Sequence, residues 1–577
     1  MDPSTFVEHR CFLLCEIFEL ILDWLPLPQR ERTLASLAAT CKALNQASTP
    51  ALWHSLDSLR PLLKLLPSNS WNKVRDESGR FPFLRLVDCD EPVDRWTRFN
   101  YYARYVRRLN WDHPSDMYAY PLHELLDHHP PANPLLPQLR TLVFHDSYPY
   151  FTLVRFFLTP TLERLKIKAH TIYEPDVVSL MNEVVANHKN LRYLSLDLCR
   201  DDGSVLRGGF VFSKRLAAPT DAEASALMSL FRALPDLQVY HGLLNMSAAR
   251  TEALAALPRL ATVHIDIKRA EIKTVAAAAR LRVRDPYAGL WFASLTSLSL
   301  SLDRLDKDTE TFLGAIQSPG LQKLMIDFEE QPDTGMVQKH CAAIARAPYR
   351  DSFTTLELVC ECYKDKDERR DRLIVGEALR PLYALPGIRT VIVRRFVLFA
   401  GSDTLRDIAQ AWPRLEILSL ACVDMWEERR PDDPRIVVAD LVPFVLACPR
   451  LRGLDIELHA VEVPDAAALA QLLPGSSQSA LEFLAVNYGP IVDAQRVADF
   501  LLHVFPALRL LWHTGVNGVR PYCEEPYTYQ REWEEVRKLV EPPPREGSES
   551  WTPTDRRDMP LGPFVVDEPL LNRVMWK

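Results

Sequence analysis

Along most of this chain three apolar positions recur in a fixed order: an anchor, a second three residues later, and a third two beyond that. The clearest copy is Trp412-Pro413-Arg414-Leu415-Glu416-Ile417-Leu418-Ser419-Leu420. The phrase Pro-x-Leu-x-x-Leu-x-Leu returns, with apolar exchanges, from Pro137, Pro160, Pro258, Pro319, Pro386 and Pro449. Copies without the proline start at Leu191, Leu295, Phe353 and Leu481, with a weaker one at Val106. Two more, at Leu237 and Leu508, keep the proline and lose the last apolar residue. Self-similarity of this kind marks a stack of repeated units.

Each phrase has a mechanical meaning. The last two apolar residues alternate with a polar one, which predicts a short strand with one buried face. The proline removes a backbone donor and ends what precedes it, which predicts a helix-to-strand turn. Apolar residues three and four apart predict helices over Glu174 to His188, Asp221 to Leu234, Asp306 to Gln317, Ser402 to Trp412 and Asp493 to Phe505. Several of these open on an Asp or Ser able to cap the helix. One strand and one helix per unit is the leucine-rich-repeat pattern. From Val106 to Leu508 the anchors span 402 residues in 13 intervals of 23 to 46, a mean of about 31. The Asn or Cys often found just after the strand is seldom present, Cys199 being one of the few, so the expected solenoid is irregular. An ordinary doubly wound α/β domain would have longer, continuously apolar strands, and no Gly-x-Gly-x-x-Gly follows any strand here.

Composition narrows the function. The chain has 577 residues, is 47% hydrophobic and 25% charged, and carries a net charge of -8, which argues against a general nucleic-acid binder. No uncharged apolar run reaches the length of a membrane span. The apolar stretch Cys11 to Leu27 is interrupted by Glu16, Glu19 and Asp23, which spoils it as a signal peptide. Eleven scattered cysteines without a Cys-x-x-Cys pair suit a reducing compartment, so cytoplasm or nucleus is expected.

The first sixty residues differ from the rest. Leu13, Ile17, Phe18, Ile21, Leu22 and Leu25 fall at helical spacing and end at Pro26 and Pro28. After the charged turn Gln29 to Arg32, a second amphipathic run carries Leu34, Leu37, Ala38, Cys41 and Leu44, and Thr49 to Trp53 opens a third short helix. So small a module needs either packing against the repeats, as a cap, or an apolar face kept for a partner.

These residues resemble an F-box. Leu13-Leu14-Cys15-Glu16-Ile17-Phe18-Glu19-Leu20-Ile21-Leu22 looks like its opening, with Leu14 where the usual pattern has proline. Leu34 to Lys42 is similar to its middle helix, and Pro50-Ala51-Leu52-Trp53 to its closing Leu-Trp. Together with the repeats and Leu56 to Leu63, the chain resembles fungal F-box proteins. The resemblance implies the substrate receptor of a Skp/cullin-type ubiquitin ligase, with Leu13, Ile17, Phe18, Ile21, Leu22, Leu25, Leu37, Cys41 and Trp53 facing the adaptor. The target would be a protein held on the repeats.

Remaining motifs add little chemistry. Trp96, Phe99, Tyr101, Tyr102 and Tyr105 interleave with Arg104, Arg107 and Arg108. In an acidic chain their helical spacing reads as packing between module and repeats, against the alternative of stacking on a single nucleic-acid strand. His113, Asp116, His123, His128 and His129 fit no closed metal motif, and Cys360-Glu361-Cys362 is not a zinc spacing. Glu329-Glu330 reads as solvated charge, and Asn245-Met246-Ser247 as a chance sequon. No nucleophile elbow, phosphate loop or His-Glu-x-x-His occurs, so no enzyme, cofactor or metal is expected. Outward positions of the strands offer Arg164, Lys166, Lys168 and Tyr193 toward one end, and Asp455 and Glu457 toward the other. These are candidate target-binding residues, the plain alternative being that outward positions are polar because they are wet.

The expected layout is therefore α/β: an F-box-like module at 9–57, a linker and helical connector at 58–105, a leucine-rich-repeat-like solenoid at 106–515, and a C-terminal region at 516–577. That last region holds a polar helix at Tyr529 to Leu539, the linker Pro542-Pro543-Pro544, and an apolar segment from Phe564 to Trp576 expected to cover the open end. The expected partners are a Skp-type adaptor with its cullin and a protein target. The other class is a leucine-rich interaction scaffold without ligase association.

Overall fold

The computed structural model describes residues 27–67, 71–75, 82–86, 96–112, 134–145, 150–170, 174–199, 220–284, 290–360, 374–396, 398–422, 434–473, 477, 479–486, 489–513 and 529–540. The chain divides into two compact units, Met1–Asn245 with Leu257–Leu260, and Met246–Ala256 with Ala261–Lys577. Each is a ladder of short parallel strands taken in chain order and backed by helices. In the first unit the ladder is β1 (Ser55–Leu56), β2 (Arg108–Asp112), β3 (Thr141–His145), β4 (Arg164–His170), β5 (Tyr193–Cys199) and β6 (Val239–Asn245). In the second it opens with β7 (Thr262–Ile267), β8 (Ser297–Leu302), β9 (Lys323–Phe328), β10 (Thr355–Cys360) and β11 (Thr390–Phe396). It closes with β12 (Ile417–Cys422), β13 (Gly453–Ile456), β14 (Phe483–Val486) and β15 (Leu510–His513). The fold is an α/β leucine-rich-repeat-type stack.

From β2 onward every strand begins two residues after a first anchor of the sequence phrase. The anchors fill the interior: Leu415, Leu418 and Leu420 are buried, as are Leu321, Leu324 and Ile326, and Leu162, Leu165 and Ile167. The copy at Leu237 lacks a third apolar residue for a visible reason. Tyr240 takes the second position, its ring packs on Phe231 at 5.0 Å, and a Cβ at Gly242 would collide with the phenol. The ring fills the space the missing side chain would have used.

The proline of each phrase sits in the second place of a tight turn. The amide of Leu415 donates to the carbonyl of Trp412, with Pro413 between them, and Leu451 donates to Cys448 across Pro449. Pro suits that place because its fixed φ matches the turn. Within each unit a carbonyl just ahead of a strand accepts two amides from the next repeat: Glu416 and Ile417 donate to Arg389, and Arg452 and Gly453 donate to Glu416. The same pairing runs through Arg107, Arg140, Glu163 and Arg192 in the first unit.

Several turns add a buried side-chain donor three residues before the anchor. Thr159 Oγ1 donates to the Leu139 carbonyl at 2.9 Å, His188 Nδ1 to Thr159 at 2.8 Å, and Ser318 Oγ to Leu295 at 2.6 Å. Trp412 Nε1 donates to Leu382 at 3.2 Å. The donors differ in kind and do the same work, linking one repeat to the previous one.

Helix ends follow the capping rules with two adjustments. Asp306 and Asp493 cap their helices as the sequence suggests, through Thr309 N at 3.0 Å and Arg496 N at 3.0 Å. The helix Asp221–Ala233 is capped one residue earlier, by a Thr220–Glu223 capping box. Ser402 does not cap its helix; Gly401 holds that place, and the Ser402 hydroxyl donates to Asp440 Oδ2 at 2.6 Å.

Three stretches differ from the sequence expectation. The ladder begins at Ser55–Leu56, ahead of the first phrase. Within the stretch expected as a linker, Trp71–Arg75 and Pro82–Leu86 pair as an antiparallel hairpin. Residues 29–32, expected as a turn, lie in the first turns of the helix Leu27–Thr40. In the last described element, Gln530–Val540, Trp533 and Val536 are buried and Trp533 Nε1 donates to the Gly489 carbonyl at 2.7 Å. The apolar segment from Phe564 to Trp576 lies outside the described residues.

Two outcomes follow from the buried turn donors. Ser318→Ala should lower stability by about 1–3 kcal/mol, because a buried carbonyl loses its partner. Thr159→Val should lower it less, since Thr161 Oγ1 also donates to Leu139 at 2.8 Å. Denaturant midpoints at constant slope would show the difference, and equal losses would contradict this account.

His188 and His340 set a pH dependence. His340 is buried between Thr309 Oγ1 at 2.6 Å and the Met336 carbonyl at 2.8 Å. Burial pushes both imidazoles below their ordinary value. They contribute stability that is present above the unfolded value of about 6.5 and is lost as pH falls through the lower folded values. His340→Gln and His188→Gln should each show a smaller loss of denaturant midpoint than the parent between about pH 7 and about pH 5.

Candidate functional site

In the first unit, register lines up the side chains on the strand face opposite the anchors, where Thr141, Tyr193, Ser195 and Val239 are themselves buried, Tyr193 being only 4% exposed. Arg108, Thr141, Arg164, Tyr193 and Val239 form one row across β2 to β6. Asn110, Val143, Lys166, Ser195 and His241 form the next, and His145, Lys168 and Asp197 lie beyond. The structure thus brings Arg164, Lys166, Lys168 and Tyr193 together. The Arg164 guanidinium lies over the Tyr193 ring at 5.3 Å, and His241 meets that ring edge-on at 5.7 Å. Lys168 pairs in register with Asp197, which tempers the charge at that edge.

More positive charge collects beside this strip. The His54 carbonyl accepts the amides of Arg107 and Arg108 at 2.9 and 3.0 Å. Burial, followed by Arg107, Arg30, Arg108 and Arg140, holds the His54 imidazole below its usual value. Neighbouring arginines at Arg108, Arg140 and Arg164 make this end of the first unit the basic one, with Arg140 partly offset by Glu163 at 3.7 Å.

The described part of the N-terminal module consists of the helices Leu27–Thr40 and Lys42–Leu52. Cys41 separates them as an exposed, extended N-cap whose Sγ accepts the Leu44 amide at 3.5 Å. Leu34 is buried, and Leu37, Leu44, Ala47, Ala51 and Leu52 pack around it, half-buried. Trp53 stacks against Tyr102 with ring centres 4.6 Å apart, so the aromatics of Thr97–Ala103 do pack the module onto the ladder. Arg104 lies over Tyr101 and Tyr105 at 4.3 and 4.7 Å. Leu13, Ile17, Phe18, Ile21, Leu22 and Leu25 lie outside the described residues.

Asp455 and Glu457 belong to the second unit. Asp455 is only 6% exposed; its Oδ2 accepts the Ser419 hydroxyl at 2.6 Å and lies 3.9 Å from Arg394 Nε. Glu457 Oε1 is 3.6 Å from His459 Nε2. Asp455 is held in a polar network and the Glu457 side chain is largely buried, so neither is offered as an open acidic surface. Arg394 and Ser419 were not marked by the sequence phrase, although Ser419 and Asp455 occupy the same place in successive repeats.

The same unit carries a charge cluster that only alignment in columns reveals. Lys268, Asp303 and Glu329 each fall three residues after a third anchor. Lys268 Nζ is 3.4 Å from Asp266 Oδ2, 3.4 Å from Asp303 Oδ1 and 3.9 Å from Glu329 Oε1. Burial pushes Asp266 up to about 6, with Lys268 opposing the shift. Burial also works against the Lys268 charge, and the three carboxylates overcome it, so its pKa lies above the usual ammonium value. Glu329, expected as solvated charge, is a half-exposed partner of this ammonium.

No group of three His, Cys, Asp or Glu able to hold a metal occurs among the described residues. His113, Asp116, His123, His128, His129, Glu361 and Cys362 lie outside them. Burial pushes the Cys341 and Cys448 thiols up to about 12, which removes them as nucleophiles at neutral pH. Among the described residues no helix is long and apolar enough to cross a membrane.

No family model matches the sequence, and no curated protein matches it. Among solved structures, the chain is similar to the yeast Rad7 and Elc1 complex at 15% identity and a TM-score of 0.33, covering 64% of this chain and 82% of that one. It is also similar to the leucine-rich repeat domain of APL1B at 12% identity and a TM-score of 0.22, covering 66% of this chain and 82% of that one.

Proposed function

We propose that this chain is the substrate-receptor subunit of a Skp/cullin-type ubiquitin ligase: a non-enzymatic adaptor that docks through its F-box-like module and holds a protein target on its repeats. The observation that carries the reading is the junction at His54. The module's last helix stacks through Trp53 on Tyr102, and the next residues become β1, the first rung of the ladder. A receptor needs such a continuous joint, because the target must be held at a fixed place relative to the ligase. The same joint favours a second reading, in which the module only caps the stack of a leucine-rich scaffold.

The two readings separate on Ile21. A large side chain in a docking face contributes about 1.5–3 kcal/mol when fully buried. Ile21→Asp should therefore abolish capture of a Skp-type adaptor and leave the melting of the repeats unchanged. Loss of repeat stability with no adaptor captured by the parent would favour the cap.

Target capture belongs to the basic strip of the first unit, where Arg164 and Lys166 face outward on one strand. Arg164→Glu with Lys166→Glu should reduce the proteins co-purified with the repeats, more strongly at low salt, and leave adaptor capture intact. An unchanged set of co-purified proteins would place the target elsewhere.

A further inference from the structure

The helix Arg269–Arg284 in the second unit is 16 residues long, whereas Ala248–Ala255 and Lys307–Gly314, on either side of it in sequence, have 8 each. At about 1.5 Å per residue it is roughly twice their length. Its buried positions are Ile272, Val275, Ala276 and Ala279, and none follows Ala279. The same helical period continues to Arg282 and Val283, yet Val283 is 46% exposed and Leu281 is 69% exposed. Three arginines, Arg280, Arg282 and Arg284, alternate with these two apolar residues. From Ile272 to Arg284 there are four positive charges and no negative one, in a chain of net charge -8, and the next residue, Asp285, lies outside the described residues.

A third apolar side chain is held outward by packing next to it. Leu290 is 60% exposed while Trp291 and Phe292 beside it are buried. The Trp291 amide donates to Gln317 Oε1 at 3.0 Å, and its carbonyl accepts the Gln317 amide at 3.1 Å. Phe292 adopts φ 55, a left-handed conformation that an aromatic residue rarely takes. It is held there by Trp291 and Phe312, whose rings lie 5.2 and 6.5 Å from its own. Such strain persists only where the surroundings over-determine it. Its effect here is to seat both aromatics inward and leave Leu290 at the surface.

Arg280 Nη2 donates to the Thr311 hydroxyl at 2.6 Å. Arg282 Nε is closed off from solvent without a hydrogen-bond partner. We propose that the end of this helix, Arg280 to Arg284, together with Leu290, is a docking surface for an acidic amphipathic segment of a partner protein. The carboxylates of that segment would meet Arg280, Arg282 and Arg284, and its apolar side chains would cover Leu281, Val283 and Leu290. The proposal is independent of the ligase reading and of the basic strip in the first unit.

Two other partners fit less well. A membrane surface gives about 1 kcal/mol per nearby basic residue and needs a second strong anchor, which three isolated apolar side chains do not supply. A single nucleic-acid strand needs aromatic faces to stack on, and the aromatics next to these arginines are buried.

The test uses the full chain and a labelled helical peptide with leucines at i, i+3, i+4 and i+7 and glutamates between them. A scrambled peptide of the same composition is the control, since it keeps the charge and loses the apolar face. Anisotropy titrations should show the ordered peptide binding more tightly than the scrambled one. Leu281→Ser with Val283→Ser should weaken it by about tenfold, and Arg280→Glu with Arg284→Glu should abolish it, the melting curves staying as in the parent. Arg164→Glu with Lys166→Glu should leave this binding unchanged. The proposal is overturned if the parent ignores the peptide, if both peptides bind alike, or if the variants bind as the parent does. It is equally overturned if phosphatidylserine-containing vesicles or single-stranded RNA bind this helix end and the peptide does not.

Discussion

A chain that alternates helix and strand leaves, at every turn, backbone groups that belong to neither element. Burying them unpaired is costly, so their satisfaction decides whether a repeat can stack at all. Within each unit, a carbonyl ahead of a strand accepts two amides of the next repeat, as at His54 and Arg107 in the first and at Arg389 and Glu482 in the second. A tight turn carries the chain from helix to anchor, and in several repeats a buried side chain ties the turn to its predecessor. These local bonds fix where every strand begins. The apolar anchors then fall inward because the register leaves them no other face.

The same register decides where charge can collect. Side chains that point outward from neighbouring strands stand in columns, so like residues at one repeat position become neighbours. In the first unit this puts Arg108 and Arg164 in one row, with Lys166 and Lys168 on the same strand as Arg164. Like charges gathered this closely oppose folding. In the second unit the columns mix signs instead. Lys323 Nζ meets Glu357 Oε1 at 2.7 Å, Asp455 sits against Ser419 and Arg394, and Lys268 is ringed by three carboxylates. Such buried polar pairs add little net stability, yet removing one partner strands the other in a poor solvent. They set geometry more than they add stability.

The ladder was legible in the sequence because one rule repeats. The anchor spacing predicts each strand from β2 to β15, with the third anchor missing only at β6 and β15, and the helices Glu174–Asn187, Ser402–Ala411 and Gln530–Val540 follow from apolar periodicity. What was not legible has a physical cause in each case. Ser55–Leu56 is too short to show alternation and is a strand only because β2 offers it partners. The turn donors Thr159, His188, Ser318 and Trp412 share a role and no residue type, so no pattern announces them. Asp455 looked like an open acid because its partners lie 36 and 61 residues away along the chain, at Ser419 and Arg394. The module's apolar face, by contrast, rests on helical spacing and resemblance for Leu13 to Leu25 and on packing only from Leu34 onward.

The irregular spacing has its own consequence. The bonds that set the ladder are made at the turn, so they do not depend on how much chain lies between one strand and the next. Lengthening a connection costs little once its ends are held. Among the described residues, the 23 from Leu139 to Leu162 carry the short 3-10 helix Tyr150–Phe157, while the 35 from Leu260 to Leu295 carry the long helix Arg269–Arg284. A regular ladder can in this way support a variable outer layer without loss of register. Length added outside the ladder is then free to acquire charge and exposed apolar groups, which is where the helix ending at Arg284 departs from its neighbours.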